Sequence, residues 1–271
     1  MREVSRRWRG EGLEIGLVPT MGALHAGHLS LIEQARSENA IVVVSVFVNP
    51  IQFVPGEDFE RYPRDAARDA SLMARAGVDA VYQPPVEVMY PPGSSTRVHV
   101  AGIGDPLEGA ARPGHFEGVA TVVSKLFTSV EPDRAYFGQK DAQQVAVIKR
   151  LAADLDFPVD VRVCPTVREA DGLALSSRNA YLSPAERQAA VSLSAALRLA
   201  AEAFASGERR PERLQGILRA RLEAEPLARV EYAEVVDPRT FRPPGTLAVL
   251  AVRIGSTRLI DNLDLAKGFS G

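Results

Sequence analysis

The apolar run from Ile41 to Val48 constrains the fold of this chain more than any other stretch. It reads Ile-Val-Val-Val-Ser-Val-Phe-Val, a nearly continuous series of β-branched residues that does not alternate with polar positions. Such a run is typical of a central strand in a parallel sheet whose two faces are both covered. The run is followed by Asn49 and Pro50, and the proline is expected to end the strand. The chain is therefore predicted to be an α/β protein.

Strand-like and helix-like stretches alternate on both sides of this run. The predicted strands are 15–18, 41–48, 79–82, 134–137 and 159–164, and the predicted helices are an opening helix from about residue 3, then 29–36, 65–76, 118–130 and 142–154. Repeated strand–helix units imply right-handed crossovers between parallel strands. The pattern predicts a Rossmann-like, doubly wound parallel sheet.

The composition changes after residue 175. Ser183-Pro184-Ala185-Glu186 has the residues of a helix start, with a capping serine, a proline in the first turn and an acid three residues after the serine. That helix is expected to reach Phe204, and a second helix is expected over 211–224. Three short apolar runs, 230–236, 246–252 and 258–262, are expected to form an antiparallel sheet. We therefore expect residues 1–175 to form a Rossmann-like domain and residues 176–271 a smaller α+β domain.

Overall composition narrows the kind of protein. The 271 residues are 46% hydrophobic and carry a net charge of −2, which gives no basic footprint for nucleic acid. The one cysteine, Cys164, excludes an intrachain disulfide and fits a reducing compartment. Neither a signal-peptide pattern nor a run of membrane-spanning length is present. We expect a cytoplasmic protein with no nucleic-acid or membrane partner.

The stretch Met21 to His28 carries the first functional signal. It joins the strand 15–18 to the helix 29–36, and its two glycines allow a ligand to approach the backbone closely. A helix start also directs N–H groups and a partial positive charge at an anion. With two histidines and no P-loop lysine, this turn suits a nucleotide that is attacked at its α-phosphate. The alternatives are a zinc site on His25 and His28, which the absence of a nearby third ligand disfavours, and a surface pair of histidines that is already satisfied.

Two further stretches are expected near this turn. In open parallel sheets, ligands bind beyond the carboxyl ends of the strands. The stretches 19–28, 49–53 and 137–141 all follow predicted strands. We expect these three strand ends to converge on one crevice.

Cationic and hydroxyl side chains suggest how phosphates would be held. Ser176-Ser177-Arg178 combines short donors with a planar guanidinium, as in a phosphate clamp, although such a triplet is more often a helix cap or loop. Lys140 stands at a predicted helix start, where the helix dipole opposes a positive charge and an anionic ligand would offset that cost. An exposed lysine without a ligand is the alternative.

Six motifs together resemble one family. His25-Ala-Gly-His28 resembles the His-x-Gly-His signature of the nucleotidylyltransferase superfamily, which class I aminoacyl-tRNA synthetases share. The wider set resembles the pantoate–β-alanine ligases over nearly the whole chain. Its motifs occupy residues 19–28, 47–53, 62–64, 114–119, 137–144 and 171–179.

The resemblance implies a reaction and its partners. The substrates would be ATP, (R)-pantoate and β-alanine, with Mg²⁺ as metal, in a cytoplasmic homodimer of coenzyme A biosynthesis. Pantoate would attack the α-phosphorus of ATP and release pyrophosphate. The amine of β-alanine would then attack the pantoyl adenylate, which gives pantothenate and AMP.

The resemblance also implies roles for individual residues. The catalytic group would comprise His25, His28, Lys140 and Arg178, with His28 at the position that the family assigns to the proton donor. Gln52 and Gln144 would bind pantoate, since amides suit a hydroxyl-rich acid, and Gln52 would also face β-alanine. Asn49 is a nearby candidate, and Tyr62 and its loop would form a mobile wall over the anhydride. ATP would be bound by Met21, Gly22, Ala23, Leu24, His25, Ala26, Gly27, His28, Gly138, Gln139, Lys140, Asp141, Val167, Leu175, Ser176, Ser177 and Arg178.

This chain departs from the family pattern at two places. Leu175 replaces the usual methionine, a residue of similar bulk, so the nucleotide pocket should survive. The family usually has a strand-like segment before the helix that starts here near Glu3. Either the sheet lacks an edge strand or the gene has another start codon.

Two other functions would use part of the same residue set. A different adenylyl- or cytidylyltransferase would share the His-x-Gly-His turn, but a phosphate acceptor would call for cations where this chain has Gln52 and Gln144. A non-catalytic nucleotide-binding module would need the fold and the glycines but not His28, Lys140 and Arg178 together.

Overall fold

The computed structural model describes residues 1–269, which fold as two compact units. The first unit comprises residues 1–138 and 143–165, and the second comprises 139–142 and the described residues from 166 onward. The helices are α1 (Arg2–Gly10), α2 (Ala26–Glu38), α3 (Ala66–Arg75), α4 (Val86–Met89), α5 (Glu108–Ala111), α6 (His115–Val130), α7 (Ala142–Asp154), α8 (Pro184–Ala205) and α9 (Pro211–Glu223). The strands are β1 (Ile15–Thr20), β2 (Ile41–Val46), β3 (Ala80–Tyr82), β4 (Arg134–Gly138), β5 (Asp160–Cys164), β6 (Ala228–Val236), β7 (Leu247–Ile254) and β8 (Thr257–Asp264).

The first unit is built on a five-stranded parallel sheet of order β3-β2-β1-β4-β5. The strand order reverses between β1 and β4, which is the switch point where such sheets bind ligands. The carboxyl ends of β1 and β2 lie side by side, because Thr20 pairs in register with Val46. The predicted Rossmann-like sheet is confirmed.

Alternate residues of the central strands enter two different cores. Leu17 and Val43 belong to the cluster that includes side chains of α6 and α7, whereas Val18 and Val44 belong to the cluster of α2 and α3. All four are fully buried. Burying each such side chain stabilises the fold by roughly 1.5–3 kcal/mol. Helices cover both faces of the sheet, as the apolar run predicts.

The second unit packs α8 and α9 on an antiparallel sheet of order β6-β7-β8. The start of α8 is a capping box, in which Ser183 Oγ accepts a hydrogen bond from the Glu186 N–H and the Glu186 carboxylate accepts one from the Ser183 N–H. The smaller α+β domain is confirmed in its architecture. Among residues 1–269, no helix is both long enough and apolar enough to cross a membrane.

The structure divides the chain at places that the sequence does not mark. The sequence analysis put the division at residue 175, whereas residues 166–175 belong to the second unit. Arg168 explains this, because its guanidinium forms an ion pair of 2.6 Å with the buried carboxylate of Asp261 on β8. The turn Gln139–Ala142 also belongs to the second unit.

Several short helices were not predicted. They are α4, α5 and the 3-10 helices Pro50–Gln52, Gln139–Asp141 and Ser177–Tyr181. Elements this short have no apolar period to detect. Three of them lie in stretches that the sequence analysis had singled out for function.

Candidate active site

The loop between β1 and α2 has an unusual backbone. Gly22 and Ala23 follow one another in the left-handed region, with φ of 82° and 53°. This conformation turns the N–H groups of Ala23 and Leu24 in one direction, and the carboxylate of Asp69 accepts both at 2.8 Å. A Cβ at Gly22 would lie 3.1 Å from Asp69 Oδ2, so glycine is needed here for both conformation and space.

Helix α3 holds this loop in place. Asp69 is 3% exposed, and its neighbour Arg68 donates a hydrogen bond of 2.9 Å to the carbonyl oxygen of Leu24. Two consecutive α3 residues therefore fix consecutive peptide groups of the loop. The sequence analysis missed both residues, because the spacing of α3 suggests only an exposed, charged helix surface.

His25 and His28 form a reciprocal cap at the start of α2. The Nδ1 atom of His25 accepts a hydrogen bond from the Gly27 N–H at 3.1 Å, and the Nδ1 atom of His28 accepts one from the His25 N–H at 3.3 Å. The two ring centroids are 4.1 Å apart. Because Nδ1 accepts in both rings, the neutral form of each carries its proton on Nε2. Each imidazole is thus set in the tautomer that offers Nε2–H as a donor.

The same arrangement is compatible with an anion at the start of α2. The helix dipole places a partial positive charge at its first turn, next to the two imidazoles. A third metal-ligating side chain is missing there, since residues 1–269 contain no group of three or more His, Cys, Asp or Glu side chains placed to hold a metal. That this pair meets phosphate and not zinc stays a prediction.

Gln52 lies next to the same loop. It ends the 3-10 helix that follows β2, and its Nε2 lies 3.3 Å from the sulfur of Met21. Its Oε1 accepts a hydrogen bond of 3.0 Å from Asn49 Nδ2. The structure thus brings together the residues expected to bind ATP at 21–28 and a residue expected to bind pantoate.

Asn49 is a support for Gln52. It is 1% exposed, its amide also donates to the carbonyl oxygen of Gly118 at 3.1 Å, and its Oδ1 accepts the hydroxyl proton of Tyr90 at 2.8 Å. Burial raises the pKa of Tyr90 well above its usual value, so this hydroxyl remains a donor. Asn49 therefore orients Gln52 with both polar atoms of its side chain in use.

Gln143 and Gln144 have different surroundings on α7. Gln143 is 5% exposed and holds a loop, since its Nε2 donates to the carbonyls of Ile103 and Pro106 at 2.9 and 2.8 Å. Gln144 is half-buried. Of the two adjacent amides, Gln143 is committed to structure and Gln144 is the one compatible with a ligand.

Tyr62 lies inside the first unit. It is 5% exposed, and its ring stands edge-on to Phe53 with centroids 6.1 Å apart. Phe53 directly follows Gln52, so the tyrosine loop reaches the neighbourhood of the predicted pantoate residue. That this loop moves stays a prediction.

Lys140 belongs to the second unit. The turn Gln139–Asp141 is held by Asn262 of β8, whose amide donates to the carbonyl oxygens of Gln139 and Lys140 at 2.9 and 2.8 Å. The Lys140 side chain is 21% exposed, and its Nζ lies 3.5 Å from Asp141 Oδ1. The sequence analysis missed Asn262, which is separated from the turn by more than a hundred residues.

The stretch from Val167 to Arg178 is also part of the second unit. Leu175 donates its N–H to the carbonyl oxygen of Val167 at 3.0 Å, which places two predicted nucleotide residues side by side. Ser176 caps the following 3-10 helix, where its Oγ accepts a hydrogen bond from the Arg178 N–H at 3.3 Å. A hydroxyl both accepts and donates, so this cap is compatible with a further bond to phosphate.

Arg168 connects these two parts of the second unit. Its guanidinium binds Asp261 and also donates to the carbonyl oxygen of Asn262 at 3.4 Å. Asn262 in turn holds the Lys140 turn. Within this unit, Lys140, Val167 and Leu175 are therefore linked by one network, whose fixed members Arg168, Asp261 and Asn262 were not predicted.

Comparison with known proteins identifies the family of this chain. A family model described as pantoate–β-alanine ligase matches residues 1–264. The pantothenate synthetase of Herpetosiphon aurantiacus is 53% identical over 269 residues, which are 97% of this chain and 96% of the relative. That of Moorella thermoacetica is 55% identical over 262 residues, or 95% of this chain and 93% of the relative.

Solved structures give the same result. The crystal structure of pantothenate synthetase from Thermus thermophilus superposes with a TM-score of 0.91 at 52% identity, covering 93% of each chain. The pantoate–β-alanine ligase from Francisella tularensis, solved in complex with β-γ ATP and β-alanine, superposes with a TM-score of 0.80 at 35% identity, covering 98% of this chain and 96% of that one. By sequence, fold and the histidine turn between β1 and α2, the chain belongs to the pantoate–β-alanine ligase family.

Proposed function

We propose that this chain condenses (R)-pantoate with β-alanine at the expense of ATP, giving pantothenate, AMP and pyrophosphate through a pantoyl adenylate. Membership of the family supports the overall reaction. The observation that carries the proposal is the His25–His28 pair, whose Nδ1 atoms cap α2, so that Nε2–H of each ring can donate to an anion. A helix start with two such donors suits a triphosphate.

In the first step, a carboxylate oxygen of pantoate attacks the α-phosphorus of ATP. The bond from that phosphorus to the bridging oxygen breaks, and pyrophosphate leaves with the negative charge. His25 and His28 would donate hydrogen bonds to the phosphates as this charge grows. Lys140, Ser176, Ser177 and Arg178 are proposed to stabilise pyrophosphate, because fixed donors and cations stabilise phosphoryl transfer chiefly through charge.

In the second step, the amine of β-alanine attacks the carbonyl carbon of the adenylate. The carbonyl-to-phosphate bond breaks, AMP leaves, and the amine loses a proton as the amide forms. Gln52 is proposed to hold pantoate and to face β-alanine, with Gln144 as a second pantoate amide. Gln52 is well placed for this because Asn49 and Met21 fix its side chain beside the loop 21–28.

Mg²⁺ is proposed to accompany ATP. Magnesium commonly keeps several waters and binds substrate phosphates with at most one or two carboxylates. The part of the chain that the structure describes has no metal-binding group of three or more His, Cys, Asp or Glu side chains, which fits a metal held mainly through the triphosphate. When bound there, Mg²⁺ neutralises phosphate charge.

We further propose that the enzyme acts as a cytoplasmic homodimer in coenzyme A biosynthesis. The resemblance of the six motifs supports the assembly and the pathway. The single cysteine, Cys164, supports a reducing compartment.

The direct test is to incubate the protein with ATP, Mg²⁺ and pantoate and to measure pyrophosphate, with and without β-alanine. Pyrophosphate that depends on pantoate, followed by pantothenate when β-alanine is added, is the expected result. A transferase that acts on a phosphate ester would release pyrophosphate with that ester and not with pantoate. A nucleotide-binding module without catalysis would release none.

A further inference from the structure

A buried histidine lies beneath Gln52 and has no role in the reaction as described. His115 is the first residue of α6, within the motif 114–119, and is 6% exposed. Its Nδ1 lies 2.8 Å from the main-chain oxygen of Gln52. Its Nε2 lies 2.8 Å from Nη1 of Arg112. The imidazole therefore bridges a guanidinium and the backbone of the proposed pantoate residue.

The partners of His115 determine where its proton lies. A guanidinium can only donate, so Nε2 must accept the hydrogen bond from Arg112. The single proton of the neutral ring is then on Nδ1 and is donated to the Gln52 oxygen. Burial, assisted by the charge of Arg112, lowers the pKa of His115 to about 4, which keeps the ring neutral near pH 7.

Arg112 is itself held by an acid. Its Nε and Nη2 donate to the two carboxylate oxygens of Glu57 at 2.5 and 2.8 Å. Only 11% of the Arg112 side chain and 19% of the Glu57 side chain are exposed. Burial raises the pKa of the Glu57 carboxyl, but hydrogen bonding and charge from Arg112 outweigh this, and the pKa is lowered overall. The carboxylate, the guanidinium and the imidazole thus form one polarised chain that ends on the Gln52 carbonyl. We call Glu57, Arg112 and His115 the His115 relay.

At Gly118, helix α6 lies directly against the peptide group that joins Ile51 and Gln52. A Cβ at this position would lie 2.4 Å from the main-chain oxygen of Ile51 and 2.6 Å from Cα of Gln52. No side chain fits between α6 and the turn. The backbone of Gln52 is therefore held by direct contact at Gly118 and by the hydrogen bond from His115, while Asn49 holds its side chain.

We propose that the His115 relay is a positioning device for Gln52, and that it sets the affinity for pantoate without touching the substrate. The proposal rests on the proposed role of Gln52 as the pantoate ligand. A binding amide is effective only when its support fixes it within about half an ångström of its working position. The relay fixes the peptide that carries this amide, whereas Asp69 and Arg68 fix the loop that would bind ATP, and the two histidines are held by their own bonds at the start of α2. Disturbing the relay should therefore weaken pantoate binding and spare ATP binding.

Two substitutions at one position separate positioning from bulk packing. An asparagine amide nitrogen can take the place of Nδ1 and donate to the Gln52 oxygen, whereas a glutamine amide reaches instead toward the place of Nε2. His115→Gln should raise the KM for pantoate about tenfold, since the Gln52 carbonyl loses its 2.8 Å donor and keeps only the 3.5 Å bond from Arg112 Nη2. It should leave the KM for ATP within about twofold. His115→Asn should restore the KM for pantoate to within about threefold of wild type. His99→Gln makes the same change at an exposed histidine and should alter neither constant.

Three results would overturn the proposed role of the His115 relay. The proposal is overturned if His115→Gln leaves the KM for pantoate unchanged, if it raises both KM values equally, or if His115→Asn is as impaired as His115→Gln. If His115→Gln does not fold, as judged by circular dichroism, Glu57→Gln replaces it and must raise the KM for pantoate while leaving the KM for ATP unchanged. A wild-type protein that releases no pyrophosphate with pantoate would instead refute the proposed function. That result would also reject the role of the His115 relay, before any variant is measured.

Discussion

Asp69 lies 46 residues beyond Ala23 in the chain, yet its Oδ2 accepts the Ala23 N–H at 2.8 Å while its Oδ1 accepts the N–H of Leu24. A carboxylate that receives two adjacent N–H groups fixes the loop in its left-handed conformation. Asp69→Asn should replace one acceptor by an NH₂ group and cost roughly 1–3 kcal/mol. We expect the KM for ATP to rise about tenfold, with a lower midpoint of urea unfolding.

Asp65→Asn is the matched control for this prediction. Asp65 caps the same helix by accepting the Arg68 N–H, and asparagine caps as well as aspartate does. The KM for ATP and the midpoint of urea unfolding of Asp65→Asn should both remain close to those of wild type. An unchanged KM for ATP in Asp69→Asn would show that the loop does not need this carboxylate.

The order of the chemistry can be tested by isotope exchange. If pantoyl adenylate forms before β-alanine reacts, labelled pyrophosphate should enter ATP when pantoate is present and β-alanine is absent. Labelled pyrophosphate can enter ATP only when the first step runs in reverse, from pantoyl adenylate and pyrophosphate to ATP and pantoate. Exchange that strictly required β-alanine would rule out the two-step sequence.

His28 should act mainly on the rate of adenylate formation. Its imidazole caps α2 beside the proposed phosphate site, where charge develops in the transition state. His28→Ala should therefore slow single-turnover adenylate formation more than it weakens binding of ATP or pantoate. A variant that forms adenylate at the wild-type rate would contradict this role.

Gln52 should act mainly on pantoate binding. Removing its side chain leaves the substrate's polar groups without partners, at a cost of about 1–3 kcal/mol. In the same single-turnover titrations, Gln52→Ala should weaken pantoate binding while ATP binding stays near wild type. Equal weakening of both substrates would make Gln52 a structural residue of the whole site.

His115 should make folding stability depend on pH. Its pKa is about 4 in the folded protein and 6.5 when unperturbed, because burial and then Arg112 disfavour its charged form and together outweigh the hydrogen bond to the Gln52 carbonyl and the charges of Glu108 and Glu57. Above pH 6.5 neither state is protonated here. Between pH 6.5 and pH 4 the unfolded state takes up a proton that the folded state does not. The free energy of unfolding therefore decreases as the pH is lowered, by roughly 3 kcal/mol once the pH is below both pKa values.

The measurement is the free energy of unfolding in urea from pH 7 to pH 4 for wild type and His115→Gln. The glutamine does not titrate, so the variant should lose less stability than wild type across this range. The gap between the two proteins should therefore narrow as the pH falls. Parallel curves would show that His115 takes up its proton with equal ease in both states.

Association can be measured by sedimentation. The proposed homodimer should persist at micromolar concentration. The run Ile41 to Val48 should not supply its surface, because Val42 and Val44 are fully buried within one chain. Contacts are expected instead from helices and later loops of the first unit. Sedimentation as a monomer at this concentration would contradict the proposed homodimer.

The sequence predicted the elements well where a pattern repeats along the chain. The buried run at β2, the Ser183–Glu186 capping box and the three strands of the second unit all follow from local spacing or local chemistry. The turn with His25 and His28 was found for the same reason, since glycines and histidines lie next to each other in sequence.

The supports of the site could not be predicted in this way. Asp69 meets its loop, His115 meets Gln52, and Asn262 meets Lys140 only after the chain has folded. Each support is a polar residue on a helix or strand whose spacing also suits an exposed position. Only its burial and its distant backbone partner distinguish it, and neither can be read from a single sequence.

Because Gln139–Ala142 belongs to the second unit, neither unit is one continuous stretch of chain. A chimera that joins residues 1–165 of one relative to the remainder of another would pair the Lys140 turn of the first parent with β8 of the second. Asn262, which is 4% exposed, would then have to donate hydrogen bonds to the carbonyl oxygens of a turn that comes from the other parent. Recombination between such enzymes should therefore succeed only when the crossover moves the four-residue turn together with the C-terminal sheet.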